Sequence, residues 1–441
     1  LAAFSAGDAE PVMALRSTLR QAIELRAHDE GGIASVRLEL LEDALREVGD
    51  VPRGNADSAW VARAERLDAE TQSPQSRLML VRWLAASWRF DEAEAALGTI
   101  SSDEVALEGT NAIAQAYGSA GRFDEAIPLY EKALADSARV RGDDHPDVLG
   151  ARNNLAVAYR VMGRLSEAIA LFEEVVADSV RVLGPDRPHT LASRGNLAVA
   201  YQEEGRLNEA IPLFEEVVAD SVRVLGPDHP HTLVSRYNLA GAYREEGCLD
   251  KAIPLYEGVL ADRVRILGAD HPHTLVSRID LAGAYQAAGR LGEATTLFEG
   301  VLADHVRILG DDHPLTFTAR NALAGTYQAA GRLSEAIPLY EGVLADRVRV
   351  LGMDHPDTLT ARHNLAGAHQ AAGHLSEAIS LFEEALAGRM RILGPIHSDT
   401  LVSRSHLAYA YLEAGRVDDA TAVLDPPTDP DDVDAHRIES R

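Results

Sequence analysis

Asn154, Asn196, Asn238 and Asn364 each stand one residue before a Leu-Ala pair, and they are spaced by multiples of 42 residues. Asp280, Ala322 and His406 fill the same slot elsewhere in the chain. An asparagine side chain offers both a donor and an acceptor, so it brackets a peptide unit of an extended chain without reading its sequence. A second row follows six residues later, at Arg160, Gln202, Arg244, Gln286, Gln328 and Gln370. Midway between the rows lie Gly241, Gly283, Gly325 and Gly367, where Val157 and Val199 stand in earlier copies. Glycine inside a helix costs about 1 kcal/mol relative to alanine. Its recurrence implies either an open groove floor for a bulky ligand group or close helix–helix contact. The chemistry of these rows is non-covalent recognition of polypeptide. The competing reading has the amides bonding the backbone of the neighbouring copy.

Two further rows are basic, running every 42 residues from Arg139 to Arg391 and from Arg152 to Arg404. Most members of the first have Asp three residues earlier, as Asp220 precedes Arg223. An i, i+3 pair contributes about 0.2–0.5 kcal/mol, so a structural lattice of ion pairs is the default. Guanidinium groups left unpaired in the groove would instead favour an acidic peptide. His229-Pro230-His231 and His271-Pro272-His273 resemble metal ligands, but zinc needs three or four converging donors. They belong to a recurring Asp-His-Pro linker, so turn formation and helix capping are expected. Cys248 replaces an arginine of the repeat and reads as drift at a polar corner. Neither Lys132 nor Lys251 follows a glycine cluster, and no nucleophile elbow or His-Glu-x-x-His is present. No catalytic, cofactor or metal residue is assigned.

The elements that must position these rows are helices. Gly-Arg-Leu/Phe-x-Glu-Ala recurs with glycines at Gly121, Gly163, Gly205, Gly289 and Gly331, and Gly247, Gly373 and Gly415 keep the register with variant strings, every step a multiple of 42. Each copy reads as two helices. In one copy, Leu191, Leu197, Ala198 and Tyr201 keep one face apolar, Pro188 suits the first turn, and Gly205 closes the helix. The second helix carries Ala210, Ile211, Phe214, Val217 and Val218, with Asn208 expected as its N-cap. Alanines recur in both helices, at Ala198 and Ala240 in the first and Ala210 and Ala252 in the second, where small residues let axes approach. One hairpin cannot bury its apolar face alone, so neighbours must stack.

The chain has 441 residues and a net charge of -27, which disfavours nucleic-acid backbones and anionic membranes as partners. A single cysteine excludes an internal disulfide, and no apolar run is long enough to span a bilayer. The first residues lack the pattern of a signal peptide, so a cytoplasmic setting is expected. The chain opens on Leu1 without Met, which reads as a fragment or an unusual start. Scarce lysine beside abundant alanine and glycine points to a GC-rich bacterial genome. Residues 1–72 are read as a helical cap or the end of a preceding domain, with helices expected around Leu15–Ile23, Val36–Val48 and Trp60–Leu67. Residues 73–102 are read as a short divergent hairpin, 103–424 as eight tandem units, and 425–441 as an acidic disordered tail.

Leu-Ala-x-x-Tyr, Gly-Arg and Glu-Ala-x-x-Leu-Phe/Tyr together resemble the tetratricopeptide repeat. The 42-residue period, Asn-Leu-Ala and Leu-Gly-x-Asp-His-Pro resemble its kinesin light chain type. The resemblance implies an all-α, right-handed α-solenoid whose first helices line a concave surface, and a protein- or peptide-binding role without catalysis. The alternative is the sensor arm of a larger signalling protein, such as a nucleotide-switch ATPase or caspase-like protease. The expected groove residues are Asn154, Asn196, Asn238, Asp280, Asn364, Arg160, Gln202, Arg244, Gln286, Gln328 and Gln370.

Overall fold

The computed structural model describes residues 58–424. The helices expected around Leu15–Ile23 and Val36–Val48, and the tail at 425–441, lie outside them. Every regular element among the described residues is a helix. Three come first: α1 (Ser58–Thr71), α2 (Pro74–Ala86) and α3 (Phe90–Leu97). Sixteen more follow as eight consecutive pairs. They are α4 (Asp103–Ser119) with α5 (Phe123–Arg141), α6 (Pro146–Val161) with α7 (Leu165–Val182), α8 (Pro188–Glu203) with α9 (Leu207–Leu225), and α10 (Pro230–Glu245) with α11 (Leu249–Leu267). Then come α12 (Pro272–Ala287) with α13 (Leu291–Leu309), α14 (Pro314–Ala329) with α15 (Leu333–Leu351), α16 (Pro356–Ala371) with α17 (Leu375–Leu393), and α18 (Ser398–Glu413) with α19 (Val417–Leu424). Neighbours in sequence pack on one another, which makes this a helical solenoid. The chain divides into two compact units after Ser235.

Local chemistry explains each boundary. The corner glycines between paired helices adopt the left-handed region, with φ of 74° at Gly163 and 72° at Gly289, which side chains resist. The linker histidine is the N-cap of the first helix: Nδ1 of His145, His229, His271, His313, His355 and His397 each accepts the backbone N–H two residues on, at 3.2 Å. Acceptance by Nδ1 needs a neutral ring, and partial burial lowers the pKa of His271 accordingly. The turn-and-cap expectation for the His-Pro motifs holds. The N-cap expected at Asn208 does not, because α9 begins one residue earlier. Arg206 takes the cap position with no side-chain cap bond, and its guanidinium reaches Glu209 at 2.6 Å instead.

The repeated Gly-Arg motif builds a second joint. Arg206 and Arg290 lie over the rings of Tyr201 and Tyr285, at 4.3 and 4.2 Å from the centroids. Each tyrosine hydroxyl donates to a glutamate of the preceding repeat, Glu173 and Glu257, at 2.7 Å. Where Cys248 displaces the arginine, Lys251 covers Tyr243 at 4.8 Å. Partial burial and Glu246 push the Cys248 thiol upward, away from a reactive thiolate. The recurrent alanines sit at the helix crossings, with Ala198, Ala240, Ala282, Ala210 and Ala252 all fully buried. Phe172, Phe214 and Phe382 fill the space beside them.

Candidate functional site

Within each unit the first helices of successive repeats approach one another, as α6 does α8 and α14 does α16. Second helices show no comparable approach among the described residues. The asparagine and glutamine rows lie on these first helices.

The asparagine row is half-buried and largely clasped between repeats. Asn196 Nδ2 donates to Asn153 Oδ1 at 3.2 Å, and Asn364 Nδ2 to Asn321 Oδ1 at 3.0 Å. Asn154 faces Asn111 more loosely, at 3.5 Å. The partner is a side chain, not the backbone that the competing reading supposed. At Asp280 the row changes chemistry: its carboxylate accepts from the Tyr237 hydroxyl and lies 3.6 Å from the Arg244 guanidinium. His363 and His406 form the last rung, ring nitrogen to ring nitrogen at 2.9 Å. Asn238 makes no side-chain hydrogen bond among the described residues.

The second row divides the same way. Arg160 pairs with Glu203, and Gln370 Nε2 donates to Glu413 at 2.6 Å. Gln202 is also engaged. Gln286 and Gln328 are half-buried and make no side-chain hydrogen bond among the described residues. Their register explains it, since the slot filled by Glu203 and Glu413 holds Ala329 and Ala371 instead. A Cβ on Gly283 would meet only the Arg244 guanidinium at 3.6 Å, and one on Gly367 only Gln328 Nε2 at 3.9 Å. These two glycines therefore do not serve close helix–helix packing. Gly325 is tighter, because a Cβ there would come 3.3 Å from the Tyr340 hydroxyl.

The arginine rows form a lattice. Arg194 reaches Asp220 at 2.8 Å, and Arg223 reaches Asp220 at 2.7 Å and Asp186 at 2.6 Å. Arg278, Arg307, Asp304 and Asp270 repeat the arrangement in the second unit at 2.6–2.9 Å. Arg223 and Arg194 hold the Asp220 carboxyl below its usual range. With these guanidiniums occupied, they give no reason for an acidic ligand. No group of three or more potential metal ligands converges among the described residues. Sequence reasoning overlooked the inter-repeat partners, Asn153, Asn321, Tyr237 and His363. The signal was their position one residue before the row.

Stacked hairpins with alanine crossings, glycine corners and a polar inner face define a helical repeat protein of the recognition class. The Tetratricopeptide repeat profile matches repeatedly over residues 106–391, and a second profile of that description matches 401–426. The chain belongs to the tetratricopeptide repeat family. It is similar to a Podosopora anserina chain of nearly identical repeats of kinesin light chain type, at 39% identity over 47% of this chain and 98% of that one, with a TM-score of 0.44. The apo quorum sensor NprR from B. thuringiensis shares the fold at 15% identity, a TM-score of 0.54, and coverage of 85% here and 97% there. So does a Signal Transduction ATPase with Numerous Domains from Pyrococcus horikoshii that carries a tetratricopeptide repeat sensor. There the figures are 14% identity, a TM-score of 0.55, and coverage of 90% here and 55% there. Comparison with curated proteins finds no match. No described helix is long and apolar enough to cross a membrane.

Proposed function

We propose that the protein is a non-catalytic scaffold whose inner helix face binds a peptide segment of a protein partner. The observation that carries this reading is the pair of unpartnered, half-buried amides at Gln286 and Gln328, beside Gly283, Gly325 and Gly367. An amide with no partner in the protein is bonded to water in the free state. A ligand backbone replaces that water at about 0.5–1.5 kcal/mol net per bond. Asn238 belongs to the same open set, while Asn154, Asn196, Asn364, Arg160 and Gln370 hold neighbouring repeats in register. The ligand is bound chiefly by its main chain, and the arginines paired between repeats, such as Arg194 and Arg278, lend no support to an acidic preference. In the alternative, these repeats serve as the sensor arm of a signalling protein. What the chain shares with the Pyrococcus horikoshii ATPase is the fold, and the alternative would use the same face.

The test starts from peptides selected on the full chain with a random display library. Calorimetry then compares the wild type with Gln286→Ala/Gln328→Ala and with Asn196→Ala/Asn238→Ala. The first pair should weaken binding by about tenfold or more at unchanged helicity. Unchanged affinity in a folded Gln286→Ala/Gln328→Ala protein would move the site off this face.

A further inference from the structure

The corner between α2 and α3 is occupied by Trp88, which precedes Arg-Phe-Asp-Glu-Ala just as Gly121 does one repeat later. All eight later corners carry glycine, with φ between 71° and 83°. Trp88 takes the same left-handed conformation at φ 60°, where a bulky side chain is strained. The fold itself would be served better by glycine. The indole is also not spent on the core, being 49% exposed. It lies on the wall of a cavity of about 710 Å³ within the first unit, a volume in the range of ligand sites.

The remaining walls say what fits. Ala112, Phe123, Val157 and Val161 supply apolar surface beside the indole's own. Arg82 and Glu108 both line the cavity but neutralise each other at 2.9 Å, so the site shows no net demand for charge. Gln115 lines it too and makes no side-chain hydrogen bond among the described residues, leaving an amide for a peptide group. A strained, exposed aromatic over a cavity with an open amide is a stacking platform beside a main-chain clamp.

We propose that this cavity is an anchor subsite that accepts an uncharged aromatic side chain of a peptide, its ring stacked on Trp88 and its main chain bonded to Gln115. The proposal deepens the peptide-binding reading by fixing one residue of the ligand and the end of the first unit where it docks. Its test is independent of Gln286 and Gln328. The ¹⁵N-labelled full chain is titrated with N-acetylphenylalaninamide, N-acetylglutamic acid amide and p-cresol while the indole N–H signals are followed, with that of Trp88 assigned by its loss in Trp88→Phe.

The Trp88 signal should shift with the phenylalanine probe and saturate at millimolar concentration, and it should respond far less to the other two. Gln115→Ala should weaken that response severalfold. Trp88→Gly should raise Tm, since it relieves the left-handed strain, and lower the affinity of library peptides selected for an aromatic residue. A structural tryptophan would do the reverse, so a lower Tm in Trp88→Gly overturns the proposal. So does a Trp88 signal unmoved by N-acetylphenylalaninamide. An equal response to p-cresol, which lacks peptide groups, overturns the assignment to a peptide. Peptides that depend on Gln286 and Gln328 but not on Trp88 would sink this subsite and leave the groove reading standing.

Discussion

Ser179 and Ser221 lie buried near the ends of their second helices in the first unit, whereas Arg263, His305, Arg347 and Arg389 stand in the same register in the second. The serines bring little to the next repeat, and Ser221 Oγ has no partner among the described residues. The second-unit side chains reach forward. Arg263 donates to Ser277 Oγ at 2.7 Å and to the His273 carbonyl at 3.1 Å, and Arg389 does the same with Ser403 and Asp399 at 2.7 and 3.0 Å. The inner face differs at particular rungs. Both units keep ties there, Asn153–Asn196 and Arg160–Glu203 in the first and Asn321–Asn364 and Gln370–Glu413 in the second, but Gln286 and Gln328 in the second are untied. One register thus tolerates two ways of joining repeats. The second unit adds buried arginines behind the groove, and two of its inner-face amides stay open.

That comparison predicts unequal acid sensitivity, and this is the largest expected effect. His363 is buried against Phe382, His406, Ser403 and Arg389, and burial first, then Arg389, lowers its pKa from 6.5 to about 4. The folded state therefore holds it neutral while the unfolded chain binds a proton more readily. Its contribution is fully present above pH 6.5 and falls away as pH drops toward 4. The loss is on the order of 2–3 kcal/mol at the lower end. Hydrogen exchange in α16–α18 should accelerate over that window, and His363→Asn, which restores the residue seen at Asn153 and Asn321, should flatten the dependence. Equal acceleration in α6–α8 would show that the histidine rung is not the cause.

A smaller effect tests whether each unit responds locally. Ala282 is fully buried at a helix crossing, so Ala282→Leu should overpack it at about 1–3 kcal/mol. Exchange should rise mainly in α12–α15, because stacking is a nearest-neighbour interaction. Uniform loss of protection through α4–α8 would contradict that.

The fold was legible because its determinants are local. Gly205 marks a left-handed corner, and Ala198 and Ala210 mark crossings, whatever surrounds them. The His-Pro linker was legible as a cap for the same reason. Asn208 misled because capping preference was weighed without the Gly-Arg joint, in which Arg206 is already committed to Tyr201 and Glu209. The state of the inner rows was hidden, since whether an amide is free depends on a residue 43 positions away in the next repeat. Gln370 finds Glu413, and Gln286 meets Ala329. Composition and period do not reveal that pairing until the helices are set side by side.

The same pairing supplies the smallest and most specific prediction. Ala329 is exposed and stands where Glu203 and Glu413 tie the second row in other repeats. Ala329→Glu should give Gln286 a carboxylate acceptor and convert an open rung into a closed one. An exposed bond of this kind adds only about 0.5 kcal/mol, so Tm should rise slightly or stay level. Peptides selected on the inner face should nevertheless lose affinity, because the Gln286 amide now has an internal competitor and a negative charge stands beside it. Ala329→Gln, which offers a weaker acceptor and no charge, separates the two causes: partial loss points to competition, and full retention points to charge. If both variants bind as the wild type does while Gln286→Ala weakens binding, the glutamine contacts ligand through its stem, and the open amide is not what the groove uses.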